Sequence, residues 1–532
     1  SSSSSLSLSE RVMFLHSSFG LKGQRRLVNH VRQPEGTVEP DALALFTFFW
    51  AQVMGLQVMK LWLKMTDSGI TLNVNSACAC FMLLACMAGL LAPESSTVFL
   101  CVVSFLVLGL TGSQSNHVFM KMMLVVALLL GYRKDRDCWI HQARAASRSF
   151  LISLYFITAL HKLNRDWLDK HVSCATLMHL GVTATPLFQW MAHLPLDPIP
   201  HGAAATELVL FFLLWLRYDR LATCIGSGFH LLICQMFPPM SVYPFSLLMA
   251  PIYIFIIPEQ CAILRRARSW SWLIVPVAAV LAERWLPLMT GTSEAPFEYP
   301  PYGLYSCGIV WCWLVYLALI VAAVAGPSKG APPMLVTRTW FVSAATASMV
   351  LCLGLAPYFG VRNYPALAMF SNLRTEGGWS NHLFLHDDFD ILGWQRDYVT
   401  VHETNIPQLR TAQVDLAPLF TNRTREVIEQ AGALNEFWIT PPPGHWTGAE
   451  TRAFVPYSMP LLELRRRVAA AQSSRFAGAF LRYTRTQAKP RLGMPWLWHW
   501  LGIEIPAHDK IVSENQTHYL AVDDDADGLE VP

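Results

Sequence analysis

The chain has 532 residues, of which 53% are hydrophobic and only 14% charged, against ~25% charged in an ordinary soluble domain. Its net charge of +3 carries no basic stripe, so nucleic acid is excluded as an expected partner. The apolar residues are gathered into runs near the ~20 that a helix needs to cross a bilayer. Composition therefore predicts an all-α polytopic membrane domain of about nine to eleven transmembrane helices, with membrane lipids as its surroundings.

Residues 1–40 open with "SSSSSLSLSERVMFLHSSFGLKGQRR", which is Ser-rich, basic and almost free of acid. It reads either as the remainder of an organelle-targeting segment or as a flexible cytoplasmic tail. The secretory, thylakoid and mitochondrial membranes stay open.

Residues 41–361 form the expected membrane domain. Candidate spans cover 41–63, 74–92, 97–112, 114–132, 148–164, 203–217, 221–237, 241–258, 270–288, 301–325 and 340–361. With these spans, 17 Lys and Arg of the tails and short loops fall on one side and 4 on the other. Such a bias sets orientation. It puts the N-terminus on the cytoplasm-equivalent side and residues 362–532 on the opposite side. All 12 cysteines lie between Cys78 and Cys352, so the C-terminal region has no disulfide framework of its own. Cys78 and Cys80 read as packing residues.

Residues 362–532 are expected to form a small, mainly β extramembrane domain. "NHLFLHDDFDILGWQRDYVTVHE" has short, partly alternating runs, "MPLLELRRRVAAAQ" has helical periodicity, and "RFAGAFLRYTRT" reads as a strand pair. Trp496, Trp498 and Trp500 alternate as one buried strand face or as an interfacial aromatic anchor. Asn422 and Asn515 begin glycosylation sequons on the expected outer side. "DDDAD" near the end reads as a solvated tail.

There is no Gly-rich phosphate loop, GxSxG elbow or HExxH, and no metal site is predicted. His382, His386 and Asp388 carry ligand chemistry but read first as a polar loop or strand edge. The remaining candidates are polar groups inside apolar spans, which are costly enough to be functional candidates by default. Asn116 and His117 open the fourth span, Lys162 closes the fifth, and His230 lies past the middle of the seventh. Loop charges bring all of them toward the outer membrane face, so they are expected to converge on one pocket. Tyr155, Thr158 and Lys162 share a helical face at spacings of three and four.

Lys162 has two readings. It can snorkel to the interface or pair with Asp166 one turn on. Alternatively it is held in an apolar pocket without a carboxylate partner, where desolvation makes the neutral amine available as a base. In the second reading Asn164 loosens the helix and lets Asp166 and Trp167 turn toward the interface. Glu207, early in the sixth span, is expected to bond a neighbouring helix and receives no catalytic role in either.

A resemblance sharpens the second reading. "YFITALHKLNRDWLDKHVS" resembles the "YFIAG-KKLD-DW" segment of vitamin K-dependent gamma-carboxylase, and also the wider HTTM family of membrane proteins. "SNHVF" resembles the carboxylase's "NHYW" element, and "GFHLLICQMF" resembles the family's "FH---QLF" segment. "AMFSNLRTEGGWSNHLFL" is similar to a segment of bacterial HTTM proteins that follows the last span. The resemblance implies quinol-dependent carboxylase and epoxidase chemistry on a reduced quinone such as vitamin K hydroquinone. Lys162 would be the base, Asn116 and His117 would position the quinol, and His230, Gln235 and Tyr155 would help form the site. His161 stands where the family has a first lysine. In that chemistry, oxygenation of the quinol yields an alkoxide that removes a carbon-bound proton, and carbon dioxide adds to the resulting carbanion. The rival reading belongs to another class: a non-catalytic membrane subunit or scaffold that packs against other subunits of a larger complex.

Overall fold

The computed structural model describes residues 42–67, 74–110, 115–170, 173–183, 186–235, 242–257, 302–325 and 339–361. It also describes parts of 263–268 and 366–385, four strands beyond residue 396, and a few single residues between them. In the first part the elements are α1 (Ala42–Asp67), α2 (Val74–Leu91), α3 (Thr97–Leu110), α4 (Asn116–Leu130), α5 (Arg136–Lys162), α6 (Arg165–Leu168) and α7 (Cys174–Thr183). A 3-10 helix (Pro186–His193) follows, then α8 (Pro198–Trp215), α9 (Asp219–Ile233), α10 (Tyr243–Ile254), α11 (Tyr302–Ala325) and α12 (Thr339–Leu355).

The described residues are mostly helical. Helices stand on ten of the eleven expected spans, and the other, 270–288, lies outside the described residues. Two helical stretches, Pro198–Trp215 and Gly308–Ala325, are long and apolar enough to cross a membrane. Among the described residues the other apolar stretches run 10–17 residues, as in the 14 residues of α3. Large apolar side chains are exposed on several helices, among them Leu84, Leu91, Leu110, Trp215, Val324 and Trp340. Scattered exposed apolar residues are ordinary, but contiguous ones mark an apolar environment or a partner.

Helix α5 is the centre of the arrangement, packing on α4, α8 and α12. It starts where Asp135 accepts a hydrogen bond from the Asp137 amide, satisfying one of the orphan donors of the first turn. Against α12 the approach is set by Gly354, because a Cβ there would meet Ile157 Cγ1 at 2.3 Å. Gly226 does the same for Tyr253, whose hydroxyl would lie 1.9 Å from an added Cβ. Cys78 is buried and Cys80 exposed, both as free thiols.

Beyond the helices, β1 (Asp397–Thr404), β2 (Tyr457–Pro460), β3 (Ala479–Gln487) and β4 (Thr517–Val522) form an antiparallel sheet of order β2-β1-β3-β4. Val399, Val401 and Leu481 are buried, and a register shift falls between Val401 and Glu403. Of the strand pair expected at 475–486, residues 479–486 lie in one strand, β3, which pairs with β1 and β4, and residues 475–478 lie outside the described residues. Met459 and Pro460, read as the start of a helix, finish β2, while Leu461, Leu464 and Val468 are helical. Asn422, Asn515, His386, Asp388, Trp496, Trp498, Trp500 and the acidic tail lie outside the described residues.

Candidate functional site

Lys162 is the last residue of α5, and the helix stops because Leu163 leaves helical geometry at φ −81 and ψ 59. Asn164 then caps α6: its Oδ1 accepts from the Trp167 amide at 2.7 Å. Its Nδ2 donates to the carbonyls of His161 and Ser371, each at 2.7 Å. This is the local competition for backbone groups expected of asparagine. The turn is held from outside by the segment around residue 382. Arg165 N donates to Asn381 O at 3.1 Å, and Leu383 N donates to Leu163 O at 2.9 Å. His382 belongs to this clamp. Its Nε2 lies 3.0 Å from Leu160 O, and its Nδ1 accepts from the amides of Phe384 and Leu385. These partners require the neutral tautomer with the proton on Nε2.

Trp167 does not turn toward the interface, as the sequence had suggested. It is buried, its indole N–H donates to Pro200 O at 3.0 Å, and its ring lies under Lys162 Nζ at 5.1 Å. The expectation of an unpaired lysine is also corrected. Lys162 Nζ meets Glu207 Oε2 at 2.7 Å, with side-chain exposures of 12% and 7%. Two ionisable groups on apolar helices are each costly alone and become tolerable as a pair. The carboxylate came from α8 because α5 and α8 pack together, a contact that local spacing within α5 does not encode.

This pair borders a cavity of about 390 Å³. Its walls come from α4, α5, α7, α8, α9 and α10, with Leu367 closing one side. Most of the wall is apolar: Met120, Leu154, Met178, Ile199, Phe229, Leu232 and Phe245 all contribute. The polar wall residues are Asn116, His117, Thr158, Lys162, His179, Thr206 and Glu207. An apolar chamber of this volume with a few convergent polar groups has the character of a small-molecule site.

The wall polar groups differ in how they are satisfied. His117 Nε2 lies 3.2 Å from Ser115 Oγ. Asn116 Oδ1 accepts from the Leu367 amide at 3.1 Å, while its Nδ2 is buried without a partner. Leu367 is held at φ 60, a left-handed conformation that costs a leucine energy and persists only where neighbours enforce it. His179 is buried on α7, outside the candidate spans, and its Nε2 has no partner. Burial lowers the proton affinity of the His179 ring, and the Met191 carbonyl facing it opposes that shift.

Of the residues expected to converge, Asn116, His117 and Lys162 line the one cavity. His230 does not. It stands behind the wall in a buried network: Tyr155 Oη lies 2.9 Å from His230 Nε2 and 2.7 Å from Tyr253 Oη. His230 Nδ1 lies 3.4 Å from Ser246 Oγ, and Tyr316 Oη donates to Ser246 O at 2.5 Å. The aromatic neighbours Phe229 and Phe245 hold the wall position instead. Tyr155 shares this network, whereas Thr158 on the same helical face reaches the cavity. Gln235 is buried beyond α9, its Nε2 donating to Leu231 O at 3.2 Å, and is no part of the wall. His161 turns the opposite way from Lys162, with Nε2 2.8 Å from Gly354 O and Nδ1 3.2 Å from Leu367 O. The sequence pointed to no role for His179, and for Glu207 to a bond with a neighbouring helix but no catalytic role. The signal for Glu207 was a carboxylate within an apolar run; His179, in the apolar "CATLMHLGVT", gave the same kind of signal. No protein-family model, curated protein or solved structure matches this chain.

Proposed function

We propose that the chain is a multi-pass membrane protein of the HTTM type that handles a lipid-soluble quinol in the cavity beside Lys162. The single observation that carries this reading is a chamber of about 390 Å³ with a buried Lys162–Glu207 pair on an otherwise apolar wall. Apolar walls suit the body of a quinone, and the ion pair suits its hydroxyl. The pair takes up one proton from the quinol oxygen, and the Glu207 carboxylate receives it, since the Lys162 ammonium has no lone pair. The cation that remains stabilises the quinolate. Lys162 is thus half of a proton-accepting unit rather than an isolated base. Oxygenation of the quinolate and carboxylation of a carbon acid follow from the resemblance to vitamin K-dependent gamma-carboxylase. A scaffold subunit would have its bundle interior closed by side chains, which fits an open chamber less well.

The proposed setting is an organelle or plasma membrane, with the N-terminus on the cytoplasm-equivalent side and the C-terminal sheet opposite, on the 17-to-4 basic bias. Protease treatment of sealed vesicles should then spare a tag at one end only. The functional test is quinol-dependent oxygen uptake and epoxide formation by the purified protein in nanodiscs supplied with vitamin K hydroquinone. Lys162→Ala and Glu207→Gln should each reduce turnover by ~100-fold or more, the range of general acid–base catalysis. A wild-type protein inert toward the quinol, under conditions where it binds it, would reduce the site to a carrier. A protein that does not bind it would refute the reading.

A further inference from the structure

The cavity wall holds two nitrogens that have lost water and gained nothing in return. They are Asn116 Nδ2 and His179 Nε2. A buried polar atom without a partner has lost its hydration with no hydrogen bond in exchange, so each is a place where a ligand group restores a lost hydrogen bond. Their chemistries are not equivalent. Asn116 spends its carbonyl oxygen on the Leu367 amide, so its free atom is an amide N–H, which can only donate. His179 is the complement. The Met191 carbonyl faces its ring and can only accept. A neutral imidazole has one N–H; placed on Nδ1 toward the Met191 carbonyl, it leaves the unpartnered Nε2 free to accept. Nε2 is then left with a lone pair. Burial of the ring in this apolar surround disfavours the imidazolium and keeps it an acceptor.

We infer that His179 is the residue that selects the reduced form of the ligand: its Nε2 accepts a hydrogen bond from a ligand hydroxyl that the oxidised, carbonyl form lacks. Asn116 Nδ2 donates to a ligand oxygen of either form. The ligand this wall recognises is therefore an apolar body carrying at least one O–H donor and one oxygen acceptor. This inference rests on the quinol reading of the same cavity and adds to it a residue and a direction of selectivity. The selectivity has a definite physical source. A carbonyl oxygen placed against Nε2 sets lone pair against lone pair, and a site built to accept from a hydroxyl rejects an analogue without one more strongly than shape alone would.

The test is an anaerobic binding titration of the full-length protein in nanodiscs with vitamin K hydroquinone and, separately, vitamin K quinone. The wild type should bind the hydroquinone about tenfold more tightly, the value of one neutral hydrogen bond between well-placed groups. His179→Leu should lose that preference by weakening the hydroquinone alone. Its retained quinone affinity is the control for folding. His179→Gln, which keeps an acceptor oxygen, should retain part of the preference. Asn116→Leu should weaken both forms together. Equal wild-type affinities, or a His179→Leu variant that keeps the preference, would overturn the role of His179 and leave the cavity reading intact. Wild-type protein that binds neither form would overturn the cavity reading itself.

Discussion

Helix α5 has two faces, and they are built on opposite rules. On the α12 side Gly354 admits Ile157 to a distance no other residue would permit, and His161 faces the carbonyls of Gly354 and Leu367. A neutral ring has a single N–H, so it donates to one of these two main-chain oxygens, and the surface is closed. On the α8 side the next residue, Lys162, meets Glu207 at the edge of a chamber. There Gly202 has nothing within 4 Å of an added Cβ, and two nitrogens lack partners. One residue of sequence separates a face that holds the bundle together from a face that leaves bonding capacity for something else. Satisfied polar groups build structure; unsatisfied ones on an apolar wall are available to a ligand.

That contrast can be broken by mutation, and the largest effect is expected on the ion pair. Glu207→Leu or Lys162→Met alone should cost about 3 kcal/mol, because either strands a charge in a dry wall. The double variant should recover most of that stability and none of the quinol chemistry. Unfolding curves of the three variants in one detergent check this. A double variant as unstable as the sum of the singles would mean that the two charges do not stabilise one another.

The closed face comes next. Gly354→Val should cost about 2–3 kcal/mol through overpacking against Ile157. Gly202→Ala, on the open face, should be neutral or stabilising by up to ~1 kcal/mol, since alanine is the better helix former and meets no atom. Equal costs at the two glycines would erase the distinction between the faces. His161→Leu should cost about 2 kcal/mol by leaving a buried carbonyl without its donor, with hydroquinone affinity in the folded fraction unchanged.

The smallest effect concerns pH. His179 is held below its ordinary value of 6.5 by burial. The unfolded chain therefore binds its proton first as pH falls. The stabilisation from the neutral ring is complete above that value and is lost as pH drops from it toward the lower folded pKa. His179→Leu should flatten the pH dependence of thermal stability in that acidic window. An unchanged slope would mean the ring is not desolvated.

Much of the helical arrangement was legible because apolar runs of helix length announce themselves; the boundaries of α2, α3 and α4 fall within a few residues of the expected ones. The convergence of Asn116, His117 and Lys162 on one cavity was legible from loop charges, which led us to expect the start of α4 and the end of α5 on the same side. What stayed hidden was lateral. Whether α8 or Asp166 supplies the carboxylate for Lys162 depends on helix packing, and no spacing within α5 carries it. His230 fell one layer behind the wall for the same reason: position along a helix was readable, rotation about its axis was not. The sheet suffered similarly, since β1 pairs with β2 and β3 across long sequence separations.

The most direct test of the central claim is an experimental structure of the full chain in nanodiscs with vitamin K hydroquinone under anaerobic conditions. The account predicts the quinol ring within the chamber walled by α5, α7 and α8. One of its oxygens should lie within hydrogen-bond reach of the Lys162–Glu207 pair. A chamber filled by a phospholipid acyl chain, with the quinol elsewhere or absent, would contradict it.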